Sequence, residues 1–290
     1  MHSVNWKAHG TVLRQRIKHR THLIKLVNGL LPTCKHVYRA DPIRSVCPKC
    51  KVLHEDWNHI MKCGHPDRQV WRDDTLTKVE KQCKMRGTRP ALQRLLLSAL
   101  KQWVHCPEIE VQVDPSSYPS DIQRLIFQQN AIGWRQLFLG RFSSEWAYLQ
   151  ENYYFARPRD PKKPKRTGDR WQAAMIGLLW DQWWAVWSSR NKDLHGADAA
   201  QRAQAETREV HRDLRDLNDV RDQLDPHVRA LFQDTLNDQF AQPTWYNKTW
   251  VAIHGPVIRE NLKRVAQRAK VGVRSIRQYF EPVQSNGGIT

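Results

Sequence analysis

A cluster of three cysteines and one histidine constrains the fold of this chain more than any other feature. The four side chains lie within seventeen residues: Cys47, Cys50, His59 and Cys63. A two-residue gap lets both thiolates of a tight turn face one ion, and residues four apart share one face of a helix. Four such ligands complete a tetrahedron around Zn²⁺ and leave no position for a catalytic water. The spacing therefore predicts one structural zinc and a compact module around it.

Residues near the cluster leave one alternative open. His65 competes with His59 for the fourth ligand position, because Cys63-Gly64-His65 brings two donors close together. Glu55 and Asp56 precede the short helix that would carry His59, where negative charge is favoured. The remaining cysteines lack ligand spacing and are expected to be buried thiols: Cys34, Cys83 and Cys106. This usage is typical of an intracellular metal site and not of a disulfide framework.

Positive charge is the second constraint. The chain contains 47 Lys and Arg against 29 Asp and Glu, a formal net charge of +18. Residues 1–54 carry a net charge of +10, and residues 248–277 contain eight bases against one acid. Residues 193–240 are acidic, with six bases against eleven acids. Two basic ends around a more acidic middle indicate a polyanionic partner, and RNA or DNA is the expected one.

Each basic end is predicted to be a helix with one cationic and one apolar face. The first helix spans residues 12–31, with Leu13, Ile17 and Ile24 on its apolar stripe and Pro32 as its stop. Its cations are spaced i, i+4 and i+11 along a neighbouring stripe: Arg14, Lys18 and Lys25. On one continuous helix, all three side chains project from the same side.

The second helix is predicted to begin at Pro256 and to break at Gly272. Its cations repeat the same spacing opposite an apolar stripe: Arg259, Lys263 and Lys270. Rows of this kind contact phosphates without reading bases, so we expect the two rows together to form a nucleic-acid surface. Lys49 and Trp57 are further expected contacts, and zinc knuckles stack unpaired bases on rings such as Trp57. A plain solvated face is the alternative for either row.

Helical periodicity dominates the rest of the sequence. We therefore expect a mostly α protein, with a small zinc-stapled module followed by a multi-helix region. The expected divisions are a basic helix with the Cys-Cys-His-Cys module at residues 10–75, a helical region at 76–156, a basic linker at 157–170 and a helical C-terminal region at 171–282. Four tryptophans recur at helical spacing in the last region: Trp180, Trp183, Trp184 and Trp187. That spacing predicts a buried helix face, with base stacking as the alternative.

Three stretches carry a resemblance to a known family. They are the metal motif Cys47-Pro48-Lys49-Cys50 with Glu55-Asp56, His59-Ile60, Cys63 and Trp71; the lead-in Leu26-Val27-Asn28-Gly29-Leu30-Leu31-Pro32-Thr33; and Trp187-Ser188-Ser189-Arg190-Asn191-Lys192-Asp193-Leu194-His195-Gly196. The first two resemble the C-terminal zinc-binding domain of non-LTR retrotransposon reverse transcriptases, and the third is similar to a downstream signature of such element-encoded proteins. The resemblance implies one structural zinc on Cys47, Cys50, His59 and Cys63. It also implies binding of element RNA or target DNA, with other retrotransposon-encoded proteins as further partners.

The polymerase chemistry of that family is not expected from this chain. A reverse transcriptase holds two metal ions on a Tyr-x-Asp-Asp turn, whereas the only Asp-Asp pair here, Asp73-Asp74, lies in a polar stretch predicted to be helical. We therefore expect a non-catalytic nucleic-acid-binding protein. Two other classes stay open: an adaptor whose acidic helix at residues 199–224 binds proteins, and a zinc-linked nuclease of the His-Asn-His type, for which Asn58-His59 is the only hint.

Hydropathy favours a nuclear or cytoplasmic location. The longest apolar stretch, residues 173–187, is interrupted by Asp181 and Gln182 and is too short to cross a bilayer. The first residues mix His2 and Lys7 with single apolar residues, so neither a secretory signal nor a membrane partner is expected.

Overall fold

The computed structural model describes residues 4–39, 41–105, 110–157 and 165–280 and, except at Pro42 and residues 271–280, their side chains. The described chain is helical almost throughout, and its extended pairings are two isolated bridges, Val4 with Ser143 and Val46 with Leu53. The predicted mostly α fold class is confirmed. Cys106 and half of the basic linker predicted at residues 157–170 lie outside the described ranges.

The α-helices follow one another with short connections. In chain order they are α1 (Trp6–Gln15), α2 (Arg20–Val27), α3 (Cys34–Val37), α4 (Trp57–Lys62), α5 (Pro66–Arg86), α6 (Pro90–His105), α7 (Ser120–Ile132), α8 (Ser144–Phe155), α9 (Gly168–His195), α10 (Ala199–Asp219), α11 (Pro226–Arg229), α12 (Leu236–Ala241) and α13 (Thr244–Phe280). Short 3₁₀ segments lie between them at Ile17–His19, Pro42–Arg44, Pro115–Ser117, Trp134–Leu139 and Arg221–Gln223.

The chain forms two compact units, Met1–Asp193 and Leu194–Thr290. This boundary falls near the end of α9, inside the region predicted at residues 171–282. The reason is that the apolar face of α9 belongs to the core of the first unit, together with residues from α1, α2 and α4–α8. The segment with the Cys₃His cluster and the helices that follow it therefore share one hydrophobic core.

The tryptophan face of α9 is the centre of that core. Trp180, Trp183 and Trp187 are 2%, 0% and 5% exposed, which confirms the core packing predicted from their helical spacing. Trp184 is half-buried and lies at the edge of the face. Burial of three indoles supplies a large share of the apolar area that stabilises a unit of this size.

The N-terminal segment packs on this tryptophan face through histidines. The indole N–H of Trp183 donates to Nε2 of His22 over 3.2 Å, and the His22 ring lies edge-on to Trp184. The ring of His19 also lies against Trp184, with ring centroids 4.2 Å apart. Burial, aided by the charges of His19 and Lys25, lowers the pKa of His22 to about 4, so this ring is neutral and free to accept the indole hydrogen bond.

The prediction of a single helix at residues 12–31 is wrong. The helical path breaks at Arg16, whose φ and ψ of −97° and 50° lie outside the helical region, and α1 and α2 are separate helices. The predicted apolar stripe is also wrong, because Ile17 is 73% exposed and Ile24 is exposed as well. Val12 and the α2 leucines face the core instead. Arg16 pairs with Asp181 of α9 at this point, a tertiary contact that overrides local helical periodicity.

The second unit is built on α10 and α13. Thr207 of α10 contacts Thr244, and Asp225, which follows α10, contacts Asn261 of α13. Residue numbers increase together on the two sides, so the two long helices run in the same direction. Their core includes Leu217 from α10. The other buried members of this core are Leu224, Val228, Phe232 and Ile258.

The predicted bounds of the last helix, Pro256 and Gly272, are wrong. α13 begins at Thr244, contains Pro256 in its interior and continues through Gly272 to Phe280. Proline cannot donate the helical hydrogen bond, which normally breaks or kinks a helix. Here Trp250 before the proline and Ile258 after it both pack on the core of the second unit, which holds the two halves in one helix.

We expect Trp183→Ala to lower the free energy of unfolding of the first unit by about 3–5 kcal/mol, because a fully buried aromatic side chain is replaced by a cavity. Thermal and urea unfolding followed by circular dichroism measure this change. Phe127→Ala is the matched control, since that ring is 62% exposed, and its effect should stay within about 0.5 kcal/mol. Equal unfolding curves for the two variants would contradict the assignment of Trp183 to the core.

Candidate metal centre

A tight turn places the first two cysteines of the cluster. The backbone N–H of Cys47 donates to the carbonyl of Val52 over 2.8 Å, and that of Lys51 donates back to Cys47 over 3.0 Å. Lys51 closes the turn with a φ of 64°, a left-handed conformation that costs energy for a residue with a Cβ. The turn therefore brings the two thiols to one side, as the two-residue gap predicts.

A short helix places the other two ligands. Asp56 caps α4, and its carboxylate accepts a hydrogen bond from the backbone N–H of His59 over 2.8 Å. His59 lies in this helix and Cys63 is the residue that ends it, so the two side chains are one turn apart on one face. The helix is thus anchored at the residue that carries the imidazole ligand.

The four ligand atoms converge on one point. The sulfur or nitrogen atoms of Cys47, Cys50, His59 and Cys63 all lie within 4.8 Å of one another. The Sγ atoms of Cys47 and Cys63 are 3.9 Å apart, and Cys50 Sγ is 3.2 Å from His59 Nε2. Tetrahedral zinc with Zn–S bonds of about 2.3 Å separates its sulfurs by about 3.8 Å. The residues therefore fit a closed Cys₃His site for a metal ion.

Hydrogen bonds within the cluster favour the thiolate form of one cysteine. The Cys63 thiol donates to Cys47, which lowers the pKa of Cys47 and raises that of Cys63. The Cys47 thiolate in turn raises the pKa of His59. A thiolate is the form that binds a metal, so the cluster is electrostatically prepared for a cation.

The alternative ligand His65 has a different place in the structure. It caps the N-terminus of α5, where its Nδ1 accepts a hydrogen bond from the backbone N–H of Asp67 over 3.2 Å. His65 is not among the four residues whose ligand atoms converge. The geometry therefore favours His59 as the fourth ligand.

A buried ion pair joins the metal module to α9. The Arg190 guanidinium is 2% exposed and donates to both carboxylate oxygens of Glu55, over 3.1 and 2.6 Å, and Glu55 itself is 0% exposed. Glu55 also accepts from the backbone N–H of Cys34 over 3.1 Å. Burial alone would lower the pKa of Arg190, but its hydrogen bonds to Glu55 outweigh that effect and raise it. Arg190 therefore stays charged, and each side chain depends on the other for its buried partner.

Cys34 completes this buried network. Its sulfur accepts a hydrogen bond from Arg190 over 3.1 Å. Burial, with a further contribution from Glu55, raises the pKa of the Cys34 thiol to about 12. Cys34 is thus a neutral buried thiol, and Cys83 is buried as well, as predicted for both from their lack of ligand spacing.

Further charged contacts surround the module. Asp193 of α9 pairs with Arg68 over 3.0 Å and with Lys49 over 3.1 Å, and Lys49 also pairs with Asp67 over 2.7 Å. Arg72 of α5 donates to the backbone carbonyl of Cys63 over 2.9 Å. The segment that carries the ligands is therefore held by α5 and α9 as well as by its own turn.

Sequence reasoning missed the partnership of Glu55 and Arg190. Glu55 was assigned to the start of a short helix, and Arg190 was noted only within the stretch similar to element-encoded proteins. The two residues are 135 positions apart, and nothing in the local sequence of either one identifies the other. An acid next to a metal motif is a weak signal by itself. It indicates an ion pair only when the acid and its basic partner are both known to be buried.

The other residues predicted in the module lie in different surroundings. Lys49 already pairs with two carboxylates, those of Asp67 and Asp193, and its hydrogen bonds to them raise its pKa. Trp57 is half-buried and lines a cavity of about 320 Å³ whose wall also includes Lys35, His36 and Arg39. The cavity wall also includes Asp56, which pairs with Lys35, so the surroundings of Trp57 are of mixed charge, and the charge of Lys49 is compensated by two carboxylates.

The cationic rows are exposed. Arg14 lies on α1, Lys18 on the connecting turn and Lys25 on α2, so these three side chains do not share one helix face as predicted. In the second unit the C-terminal row is also exposed: Arg259, Lys263 and Lys270. Asp73 and Asp74 lie on the exposed surface of α5, and Asp74 pairs with Lys78 one turn away.

Together, the fold and the cluster define a helical protein with a Cys₃His cluster that is compatible with a metal site. No protein-family model, no curated protein and no solved structure matches this chain. The resemblance to the zinc-binding domain of retrotransposon reverse transcriptases therefore stays a prediction that rests on the quoted motifs. None of the described helices is both long and apolar enough to cross a membrane.

We expect the purified protein to contain one zinc per chain, measured by elemental analysis. Cys50→Ser should release the metal, and His65→Ala should retain it, because His65 is committed to the start of α5. Structural zinc contributes about 10–16 kcal/mol of apparent binding energy in small modules, so metal loss should unfold residues 34–66. Absence of zinc from the wild-type protein, or its loss from His65→Ala alone, would refute the ligand assignment.

We expect Arg190→Met to lower the free energy of unfolding by about 3–5 kcal/mol, because it leaves the buried Glu55 carboxylate without its charged partner. The double variant with Glu55→Leu should recover much of this loss, since it removes the uncompensated charge. Urea unfolding with zinc present measures both effects. Lys84→Met is the control, because the Lys84–Glu80 pair is exposed and should contribute less than about 1 kcal/mol.

Proposed function

We propose that this protein is a non-catalytic, zinc-stabilised nucleic-acid-binding protein. The observation that carries the proposal is a set of exposed cations on the N-terminal segment that have no carboxylate partner among the described residues: Arg14, Lys18, Arg20 and Lys25. Cations left unpaired at a surface repel one another, and a polyanion relieves that repulsion.

The distribution of charge between the units supports the same function. Residues 1–193 contain 33 Lys and Arg against 17 Asp and Glu, whereas residues 194–290 contain 14 against 12. Nearly all of the excess positive charge therefore belongs to the unit with the metal cluster. An electrostatic contribution of this kind is the main source of affinity for a phosphate backbone.

Ion pairing within the N-terminal segment separates two kinds of basic residue. Lys7 pairs with Asp169 over 2.7 Å and Arg16 pairs with Asp181, so both serve the fold. Arg14 donates only to the hydroxyl of Thr11, over 3.3 Å, and keeps its full charge for a ligand. The acids of α9 thus pair with some cations of this segment and leave the others for a partner.

The metal site supports a structural role for zinc. Three thiolates and one imidazole fill the tetrahedral positions, which leaves none for a water that zinc would activate. The nuclease alternative needs His59 to be free of metal, whereas its Nε2 lies within the ligand cluster. We propose that zinc fixes the module and that the basic surface, together with Trp57, binds the ligand.

The nature of the ligand is also a proposal. The resemblance to retrotransposon proteins implies element RNA or target DNA, and the adaptor class remains the competing hypothesis. An adaptor would bind a protein through the acidic helix, and its affinity would not depend on the N-terminal cations. The two functions therefore predict opposite results when those cations are removed.

Salt titrations of binding test the proposed function. If about five cations each neutralise one phosphate, the slope of log affinity against log salt should be about −3.5 on single-stranded RNA or DNA. Replacing Arg14, Lys18 and Lys25 by Gln should change it to about −1.4 and weaken all sequences about equally, because phosphate contacts carry no sequence information. The titration should include duplex DNA and a non-nucleic polyanion.

A second triple variant provides the control. Lys84, Arg124 and Arg264 are equally exposed, but each pairs with a carboxylate, and replacing them by Gln removes the same formal charge. Their loss should leave the slope near its wild-type value. Unchanged affinity and slope in the N-terminal variant would exclude that segment from the site and favour the adaptor.

A further inference from the structure

The C-terminal part of α8 presents an unusual surface. Tyr148 and Phe155 are 61% and 65% exposed, and Asn152 lies exposed between them. These positions are spaced i, i+4 and i+7, so they share one face of the helix. Large apolar rings are normally turned toward a core, and two of them on one solvent-facing stripe indicate a binding surface.

Cations lie on the aromatic rings at this end of α8. The Arg157 guanidinium lies 4.3 Å from the centroid of the Tyr153 ring, and Lys165 Nζ lies 5.2 Å from that of Phe155. Arg166 approaches Tyr154 at 5.9 Å. Significant cation–π contacts occur about once per 70–80 residues in proteins, yet three fall within fourteen residues here. Lys165 therefore lies on a ring of the exposed stripe, and the other two cations lie on the neighbouring half-buried rings.

The acids nearest this patch already have partners. Glu145 pairs with Arg124 over 3.0 Å, and Glu151 accepts from the backbone N–H of Gly168 over 2.7 Å. Asp169 pairs with Lys7. The three cations on the rings have no carboxylate partner among the described residues, so the patch keeps its positive charge.

We propose that Tyr148, Phe155 and the cations around them form a stacking surface for single-stranded nucleic acid. This inference rests on the proposed function and names where, and by which interaction, the strand is held. Unpaired bases stack on aromatic rings while cations track the phosphates, and a duplex hides the base faces that such stacking needs. A rise of about 1.5 Å per residue separates positions 148 and 155 by about 10 Å, close to three steps of a stacked strand. The amide of Asn152 lies between the rings, where it meets the edge of an intervening base.

Binding to three oligomers of equal phosphate charge separates stacking from charge attraction: oligo-dT, the same strand without bases, and a shorter duplex of matched phosphate number. Tyr148→Ala and Phe155→Ala should each weaken binding of oligo-dT by about 5- to 100-fold and leave the abasic strand and the duplex nearly unchanged. Phe155→Trp should retain binding, because it keeps a stacking ring. The salt slope should not change, since no cation is removed.

Trp245→Ala is the matched control. Trp245 is a 70% exposed aromatic residue on α13 with no cation over its ring among the described residues, so its loss should leave oligo-dT binding unchanged. Thermal unfolding checks that the α8 variants stay folded, as expected for exposed positions.

The outcomes separate this inference from the proposed function. If the wild-type protein binds oligo-dT and the α8 variants bind it equally well, the stacking surface is refuted and the proposed function stands. The same conclusion follows if the variants lose equal affinity for the abasic strand. If the wild-type protein binds none of the three oligomers at low salt, the proposed function itself is refuted.

Discussion

A carboxylate removed from water needs a positively charged partner, and Glu55 has that partner in Arg190. The desolvation cost of such a pair is high, and it is offset only when hydrogen bonds use both groups fully. Here Glu55 accepts from two nitrogens of Arg190 and from the backbone of Cys34. The metal cluster closes its own turn and helix locally, whereas this pair fixes the module to α9. The module is therefore part of a larger unit and is not a zinc finger that folds alone.

The ligands of the candidate site were predictable because their constraints are local. A turn of four residues sets Cys47 and Cys50, and one helical turn sets His59 and Cys63. The burial of the tryptophan face followed from helical spacing for the same reason. Two helices were mispredicted, the one expected to be continuous through Arg16 and the one expected to start at Pro256. Long-range contacts decide where these helices begin and end. The pairing of Glu55 with Arg190 needs the tertiary fold and has no sequence signature.

The cations of the first unit divide into paired and unpaired ones. The acids of α9 pair with cations such as Arg16 and Arg68. The cations that remain, such as Lys18 and Lys25, lie on the outside. The same sorting recurs at the end of α8, where Glu151 serves the backbone and Arg157 faces solvent. A high net charge and a well-paired interior are thus compatible in one fold.

The break at Arg16 has a consequence for the order of the basic segment. α1 has ten residues and α2 has eight, and isolated helices shorter than about 12–15 residues are marginal in water. Neither helix would hold its shape as a free peptide. The positions of Lys18 and Lys25 are instead fixed by the packing of His19 and His22 on the tryptophans of α9. The conformational entropy of this basic segment is therefore lost during folding, so a ligand that binds it would not have to order it.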